Sequence, residues 1–271
     1  IDYSVFDALK AGYGKIVLIV RKETLTDFRN SFERKLSKFA EVRFVCQKIK
    51  NIPEITGSKS KRIKPWGTAH AVLQSSEAIA EPFTAVNADD FYGANSFNIS
   101  ASFIEEELDE NIYLLTGFEL SKTISKHGPI SRGICKIDGN GFLLSIKERK
   151  NIRYIEGKII AVESDGLKYE LRGDDISSMN MFTFNPSIFA YLENYFPRFI
   201  SARGNDNEAE CQLPNAVEEI VKNKLAKVKV IMSGEEWFGV TYKADKKSAS
   251  EKIKSLIERG EYPENLWGGN V

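Results

Sequence analysis

The chain has 271 residues, 42% of them hydrophobic and 28% charged, and its 38 Lys+Arg balance 38 Asp+Glu, so its formal net charge is zero. Such a composition belongs to an ordinary folded protein rather than a disordered or fibrous one. The charge balance excludes a general nucleic-acid binder, whose affinity rests on a cationic excess that displaces counterions from phosphates.

Apolar runs such as residues 16–20 are strand-sized, far short of the roughly 20 residues that cross a bilayer, so no membrane segment is expected, and no signal peptide is read. Cys46, Cys135 and Cys211 are scattered and form no C-x-x-C, which suggests neither a zinc site nor a disulfide framework and fits a reducing, cytoplasmic setting.

Residues 1–9 keep apolar positions at 1, 5, 8 and 9, a helical spacing that reads as an element entered midway. Gly12 and Gly14 then lead into a β-branched run at 15–20, expected as a strand buried on both faces. A helix is expected over 24–39, carrying Leu25, Phe28, Phe32, Leu36 and Phe39 at spacings of three and four, followed by a strand at 42–46. This βαβ-like order marks a parallel sheet covered by helices. A further round gives a helix at 67–76, a strand at 83–87, a helix at about 96–107 and a strand at 111–119.

Beyond about residue 130 the pattern becomes strand-rich: 133–138, 142–148, 158–162, 168–171 and 179–185, separated by turns such as Asp138-Gly139-Asn140-Gly141. Helices return at 186–195 and 214–222, then a strand at 227–232 and a last helix at about 246–259. With no internal repeat and no low-complexity linker, residues 1–271 read as one α/β unit with a strand-rich insertion.

Three places could carry chemistry. The strand at 83–87 runs into Asp89 and Asp90, two carboxylates at the edge where open parallel sheets bind ligands; hard oxygen donors there suit Mg²⁺ held together with phosphates. Capping of the next turn is the alternative. The stretch Lys59-Ser60-Lys61-Arg62-Ile63-Lys64-Pro65-Trp66-Gly67-Thr68-Ala69-His70-Ala71 runs from a basic loop into a helix N-terminus; Gly67 would let a ligand approach the backbone, whereas the charges at 59–62 read as a solvated surface. Alternation along Lys147-Glu148-Arg149-Lys150 puts Glu148 and Lys150 on one face and Lys147 and Arg149 on the other, either addressing a ligand or ending a solvated strand. No G-x-G-x-x-G, P-loop or credible catalytic triad occurs.

The order Lys64-Pro65-Trp66-Gly67-Thr68-Ala69-His70-Ala71, Asn87-Ala88-Asp89-Asp90-Phe91-Tyr92-Gly93, Gly133, Lys147-Glu148-Arg149, Met179-Asn180-Met181 and Trp237-Phe238-Gly239-Val240-Thr241 resembles the sugar-phosphate nucleotidyltransferases across nearly the whole chain. The resemblance implies a Rossmann-like, doubly wound mixed sheet, with a nucleotide-binding half at about 1–125 and a sugar-binding half at about 126–271. It implies that Gly67 and Thr68, with His70 and Lys64, serve the nucleotide, UTP before dTTP; that Asp89 holds Mg²⁺; that Gly133, Glu148 and Asn180 meet the sugar; and that Arg149 neutralises phosphate where relatives carry a lysine. The partners would be a nucleoside triphosphate and a sugar-1-phosphate, with no nucleic acid or membrane and with self-association left open.

Two departures from the family pattern stand out. The glycine-rich G-x-G-T/S-R segment of relatives is not among these residues. Residues 1–9 match the part of the family that lies directly after that segment, so the first strand and phosphate loop are expected ahead of the chain as given. Gly239 stands where relatives often carry a second metal-binding Asp or Asn. Both departures motivate an alternative reading, a catalytically silent nucleotide-sugar-binding or regulatory module.

Overall fold

The computed structural model describes residues 1–48, 62–125, 127–240, 242 and 245–268. Lys59, Ser60, Lys61 and Thr241, singled out in the sequence, lie outside the described residues. The first helix, α1 (Asp2–Lys10), carries Asp2 in its first turn and Lys10 in its last, each sign suited to the helix dipole. It leads through Gly12 to β1 (Lys15–Val20), which pairs in parallel with β2 (Glu41–Cys46) from Lys15↔Glu41 to Val20↔Cys46.

The expected helix over 24–39 forms as short pieces, α2 (Leu25–Phe28) and α3 (Arg34–Leu36), joined by a π turn over Arg29–Glu33. Of the five apolar residues that set the helical spacing, Leu36 alone is buried. Without a buried stripe, little tertiary packing holds one continuous helix.

Next come α4 (Thr68–Leu73), β3 (Phe83–Ala85), the two-residue β4 (Asp90–Phe91), α5 (Ala94–Glu106) and β5 (Ile112–Glu119). The strand-rich region continues as β6 (Ile130–Ile137), β7 (Leu143–Ile155), β8 (Lys158–Val162), β9 (Lys168–Leu171) and β10 (Ile176–Phe184). The chain closes with α6 (Ile188–Arg203), α7 (Leu213–Lys222), β11 (Lys227–Met232), β12 (Phe238–Gly239) and α8 (Asp245–Glu258).

The main sheet has eight strands in the order β11-β5-β10-β6-β7-β8-β9, with β3 also paired to β10. It is mixed: β11 is parallel to β5, while β10 runs antiparallel to β5, β6 and β3. The mixed sheet agrees with the expectation, and the parallel βαβ order read for the first half is corrected beyond the β1–β2 pair. A late strand, β10, separates β3 from β5, and β1–β2 form a sheet of their own. A cavity of about 760 Å³ opens between β1 and β3, lined by residues of both strands and of α1 and α5. That opening leaves most of β1 half-buried rather than buried on both faces.

Both faces of the main sheet are covered. On one, Trp66, just ahead of α4, with Phe189 and Phe196 of α6 and Val217 of α7, packs with Leu115, Phe182, Phe184 and Val228. On the other, Ala8 of α1 and Phe97 of α5 pack with Tyr92, Phe118, Met179, Met181 and Trp237. This accounts for β5, whose six central residues are buried without alternation.

One buried titratable pair ties the two ends of the chain together. Asp7 is 2% exposed and accepts a 2.7 Å hydrogen bond from the Tyr262 hydroxyl. Burial pushes its carboxyl up to about 7, although the Tyr262 bond works the other way. A carboxyl whose pKa is higher folded than unfolded binds more protons in the native state, so its contribution to stability is full at acid pH and falls as pH rises from about 4 through about 7. Asp7→Asn should therefore be more stable than wild type by about 1–3 kcal/mol near pH 8 and should lose that advantage below about pH 5. Thermal denaturation across this range measures the difference.

Candidate functional site

The site arises from the partner change of β10. On one side β10 stays with β5; on the other it pairs with β6 at Ser177↔Ile134 and Ser178↔Gly133, then with β3 at Phe182↔Ala85 through Phe184↔Phe83. Between the two, the register against β5 shifts from Ser178 to Phe182 and Asn180 takes a left-handed φ of 61°. Asn is among the few side chains that tolerate this conformation, and a bulge of this kind re-aims a side chain. Asn180 lines both the opening on the β6 side and the cavity between β1 and β3.

The opening on the β6 side is a pocket of about 530 Å³. Its walls come from distant parts of the chain: Lys64, Gly67 and Thr68; Asn87 and Asp90; Arg132 and Gly133; Glu148; Met179 and Asn180; Glu210; and Trp237. Gly133 sits directly opposite Glu148 in the β6–β7 ladder and opposite Ser178 in β10, and a Cβ there would lie 2.8 Å from Ile146 Cγ2, so the glycine makes room for that side chain.

Six of the residues expected in a site, Lys64, Gly67, Thr68, Gly133, Glu148 and Asn180, line this pocket. Thr68 opens α4, and its hydroxyl accepts the Leu213 N–H at 2.9 Å, one of the first free donors of α7. Lys64 is exposed and paired with Glu210 at 2.8 Å and Glu208 at 3.4 Å, and the Glu210 hydrogen bond raises its pKa.

Gly67 is needed for a different reason from the one expected. At φ +108° its absent Cβ would lie 2.6 Å from the Cys211 carbonyl oxygen and 2.8 Å from the Cys211 nitrogen. The close approach is made by the chain's own backbone, with Cys211 N–H donating to Trp66 O and Ala69 N–H to Cys211 O. The basic loop is corrected at Arg62, which is 3% exposed rather than solvated. Its guanidinium donates to the carbonyls of Lys64, Pro65, Asp206, Asn207 and Ala209 and lies 3.9 Å from the Trp66 ring centroid.

His70 and Arg149 do not line the pocket. His70 is 2% exposed, stacks on Phe196 at 4.4 Å and lies with Nδ1 3.2 Å from Gln47 Nε2. Burial, aided by the Arg62 charge, lowers its pKa to about 4, so it stays neutral at physiological pH. Arg149 pairs with Glu163 at 3.1 Å and lies over Tyr169 at 3.7 Å. Side chains alternate along a strand, so a β7 that aims Glu148 into the pocket turns Arg149 away.

The adjacent carboxylates divide. Asp89 is exposed at the turn and lines the cavity between β1 and β3, whereas Asp90 is half-buried and lines the pocket. Asp90 Oδ2 accepts from Asn87 Nδ2 at 2.9 Å and lies 3.2 Å from the Tyr92 hydroxyl, which is itself 2.9 Å from Met179 O. The fully buried Tyr92 thereby locks the Asp90 turn onto β10. Burial, with a lesser push from Asp89, raises the Asp90 pKa to about 6. A carboxylate held by neutral donors, with its charge disfavoured by burial, suits a cation partner.

Magnesium is commonly held by one or two carboxylates together with phosphate oxygens. Asp89 and Asp90 supply carboxylates of that kind but line different openings, and no cluster of three or more His, Cys, Asp or Glu fit for a metal occurs among the described residues. Gly239 pairs with Asp90 in the β4–β12 ladder, and a Cβ there would lie 2.6 Å from Asp90 Oδ1. Sequence reasoning missed Arg132 and Trp237. The only available signal was their position, beside Gly133 and in the Trp237-Phe238-Gly239 stretch.

Compared with solved structures, the chain is similar to HddC from Yersinia pseudotuberculosis, with a TM-score of 0.52 and 15% sequence identity over 93% of this chain and 84% of that one. At that identity the likeness concerns the fold, a mixed α/β architecture. No family model matches the chain, and no curated protein matches it.

Gly67→Ala should cost about 2–4 kcal/mol, because it combines a strained φ with a clash against backbone that cannot rotate away. Denaturant unfolding measures this directly; a loss below about 0.5 kcal/mol would show that the Cys211 contact does not constrain the pocket wall.

Proposed function

We propose that this protein transfers a nucleotidyl group from a nucleoside triphosphate, UTP in preference to dTTP, to a sugar-1-phosphate. The observation that carries this reading is convergence. Stretches spread from Lys64 to Trp237, each of them part of the resemblance to sugar-phosphate nucleotidyltransferases, meet at one pocket where β10 changes partners. The mixed α/β fold supports the same reading.

In the reaction, an oxygen of the sugar-1-phosphate attacks the α-phosphorus of the triphosphate. The new P–O bond forms as the bond to the bridging oxygen of the β-phosphate breaks, and pyrophosphate leaves. Little covalent help is needed, because positioning and charge neutralisation supply most of the rate in such transfers. Glu148, exposed at the rim, accepts hydrogen bonds from sugar hydroxyls, and the Asn180 amide serves both sugar and nucleotide from its place between the two openings. Gly133 lines the pocket at the sugar ring, and Gly67 with Thr68 forms the wall against the base. Asp89 and Asp90 are the residues that would hold Mg²⁺, which when bound would supply charge neutralisation for the phosphates.

One observation favours a second reading, binding without turnover. Gly239 presents no second carboxylate beside Asp90, and the space there is closed by Asp90 itself. The two readings separate in one assay: pyrophosphate release by the protein with Mg²⁺ over a panel of nucleoside triphosphates and sugar-1-phosphates. Transfer predicts turnover that falls about 100-fold or more in Asp90→Asn. Arg149→Gln should stay within about threefold of wild type, since its ion pair lies outside the pocket. Binding of nucleotide-sugars with no pyrophosphate from any pair would establish the second reading instead.

A further inference from the structure

Two cations line the pocket, Lys64 and Arg132, and they differ in how their charge is met. Lys64 already holds Glu210 and Glu208. Arg132 spends its hydrogen bonds on neutral oxygens: Nε on Thr123 Oγ1 at 3.3 Å, Nη1 on Ser131 O at 2.9 Å and Nη2 on Thr123 O at 2.7 Å. These contacts fix the guanidinium and leave one N–H on each Nη without a partner. They do not neutralise the charge. The group lies over the Trp237 ring, 4.6 Å from its centroid, and forms no ion pair among the described residues. Burial lowers its pKa to about 10, and Asp90 is the carboxylate that acts against the shift.

A second observation comes from Trp237 itself. The residue is 7% exposed, and its Nε1 is the one buried side-chain polar atom without a hydrogen-bond partner among the described residues. An orphaned buried donor costs about 1–3 kcal/mol, a penalty that a ligand acceptor removes. An unpaired guanidinium partly withdrawn from water and an indole N–H without an acceptor therefore stand together at one wall of one pocket, and both call for an oxygen carrying negative charge.

We propose that Arg132 and the Trp237 indole N–H form an oxyanion subsite, which selects a ligand bearing a phosphate or carboxylate at the sugar end of the pocket. The subsite rests on the reading of this pocket as the place where a sugar phosphate binds. Glu148 and Asp90, which line the same pocket, supply the counter-selection. An anion is accepted where the guanidinium faces it and repelled elsewhere, which gives the ligand one orientation. The anionic group has two sources, the 1-phosphate of the sugar or a carboxylate on its ring.

Isothermal titration of wild type, Arg132→Gln and Trp237→Phe with inorganic phosphate, glucose-1-phosphate, glucuronate and glucose tests the subsite. At least one anionic probe should bind wild type, weaken about tenfold or more in Arg132→Gln and about threefold or more in Trp237→Phe, while the response to neutral glucose is unchanged. Dependence of glucose-1-phosphate binding on Arg132 assigns the group as the phosphate, and dependence of glucuronate alone assigns it as the ring carboxylate. Trp237→Phe keeps an aromatic ring beneath the guanidinium while removing the N–H together with part of the indole, so it gives a second test of the subsite even if Arg132→Gln folds poorly. Equal binding of the anionic probes by all three proteins, or no anionic binding by wild type, overturns the subsite. Pyrophosphate release on the same preparations keeps the two failures apart. Arg132-dependent binding without turnover would sink the transferase reading alone, and turnover with an unchanged kcat/KM in both variants would sink the subsite alone.

Discussion

A strand can hydrogen-bond to one neighbour on each side at any point of its length, and β10 must serve β6 and β3 along the same edge. It does so in succession, Ser177 and Ser178 with β6, then Phe182 to Phe184 with β3. The three residues between, Met179, Asn180 and Met181, belong to neither. Their backbone breaks register, Asn180 adopts a left-handed conformation, and the sheet parts there. The pocket is the result of that parting. Its depth depends on the buried Tyr92, whose hydroxyl reaches both Met179 O and Asp90, so the carboxylate and the break in the sheet are held as one unit.

Charge is organised on the same local scale. A chain with no net charge cannot draw in an anion by its overall field, and discrimination must come from individual groups with water excluded. The pocket pairs a carboxylate whose burial resists ionisation, Asp90, with a guanidinium whose hydrogen bonds leave its charge unmet, Arg132. Lys64 and Glu210 close the opposite rim as a pair already satisfied. With Glu148 also in the lining, such a wall mixes both signs of charge, which suits a ligand carrying both hydroxyls and phosphates.

Local pattern revealed most of the elements, because burial stripes and turn residues are written locally. The run at 15–20, the strand-rich stretch beyond 130 and the helices near 188, 214 and 246 all form. Long-range choices were hidden. No local signal tells that β10 returns between β3 and β5, so the first half reads as a parallel βαβ unit although the sheet as a whole is expected to be mixed. Gly67 signalled a close approach correctly, but only the fold reveals that Cys211 makes it. Alternation along 147–150 already separated Glu148 from Arg149, and the structure pairs Arg149 with Glu163. Arg132 gave no signal of its own, and Trp237 entered only as part of the Trp237-Phe238-Gly239 stretch, for the same reason. A lone Arg and a lone Trp become informative only when the missing partner of each can be seen.

The central claim is that ligand binds where β10 changes partners. Hydrogen exchange with and without the nucleotide-sugar that most raises the thermal stability of the protein tests it directly, since exchange reads local opening residue by residue. Slowed exchange is expected for amides at 178–181 of β10, 131–133 of β6 and 67–69 at the start of α4, with the β8–β9 hairpin unchanged. Protection confined to that hairpin or to the helices, with 178–181 exchanging as fast as in the free protein, would contradict it.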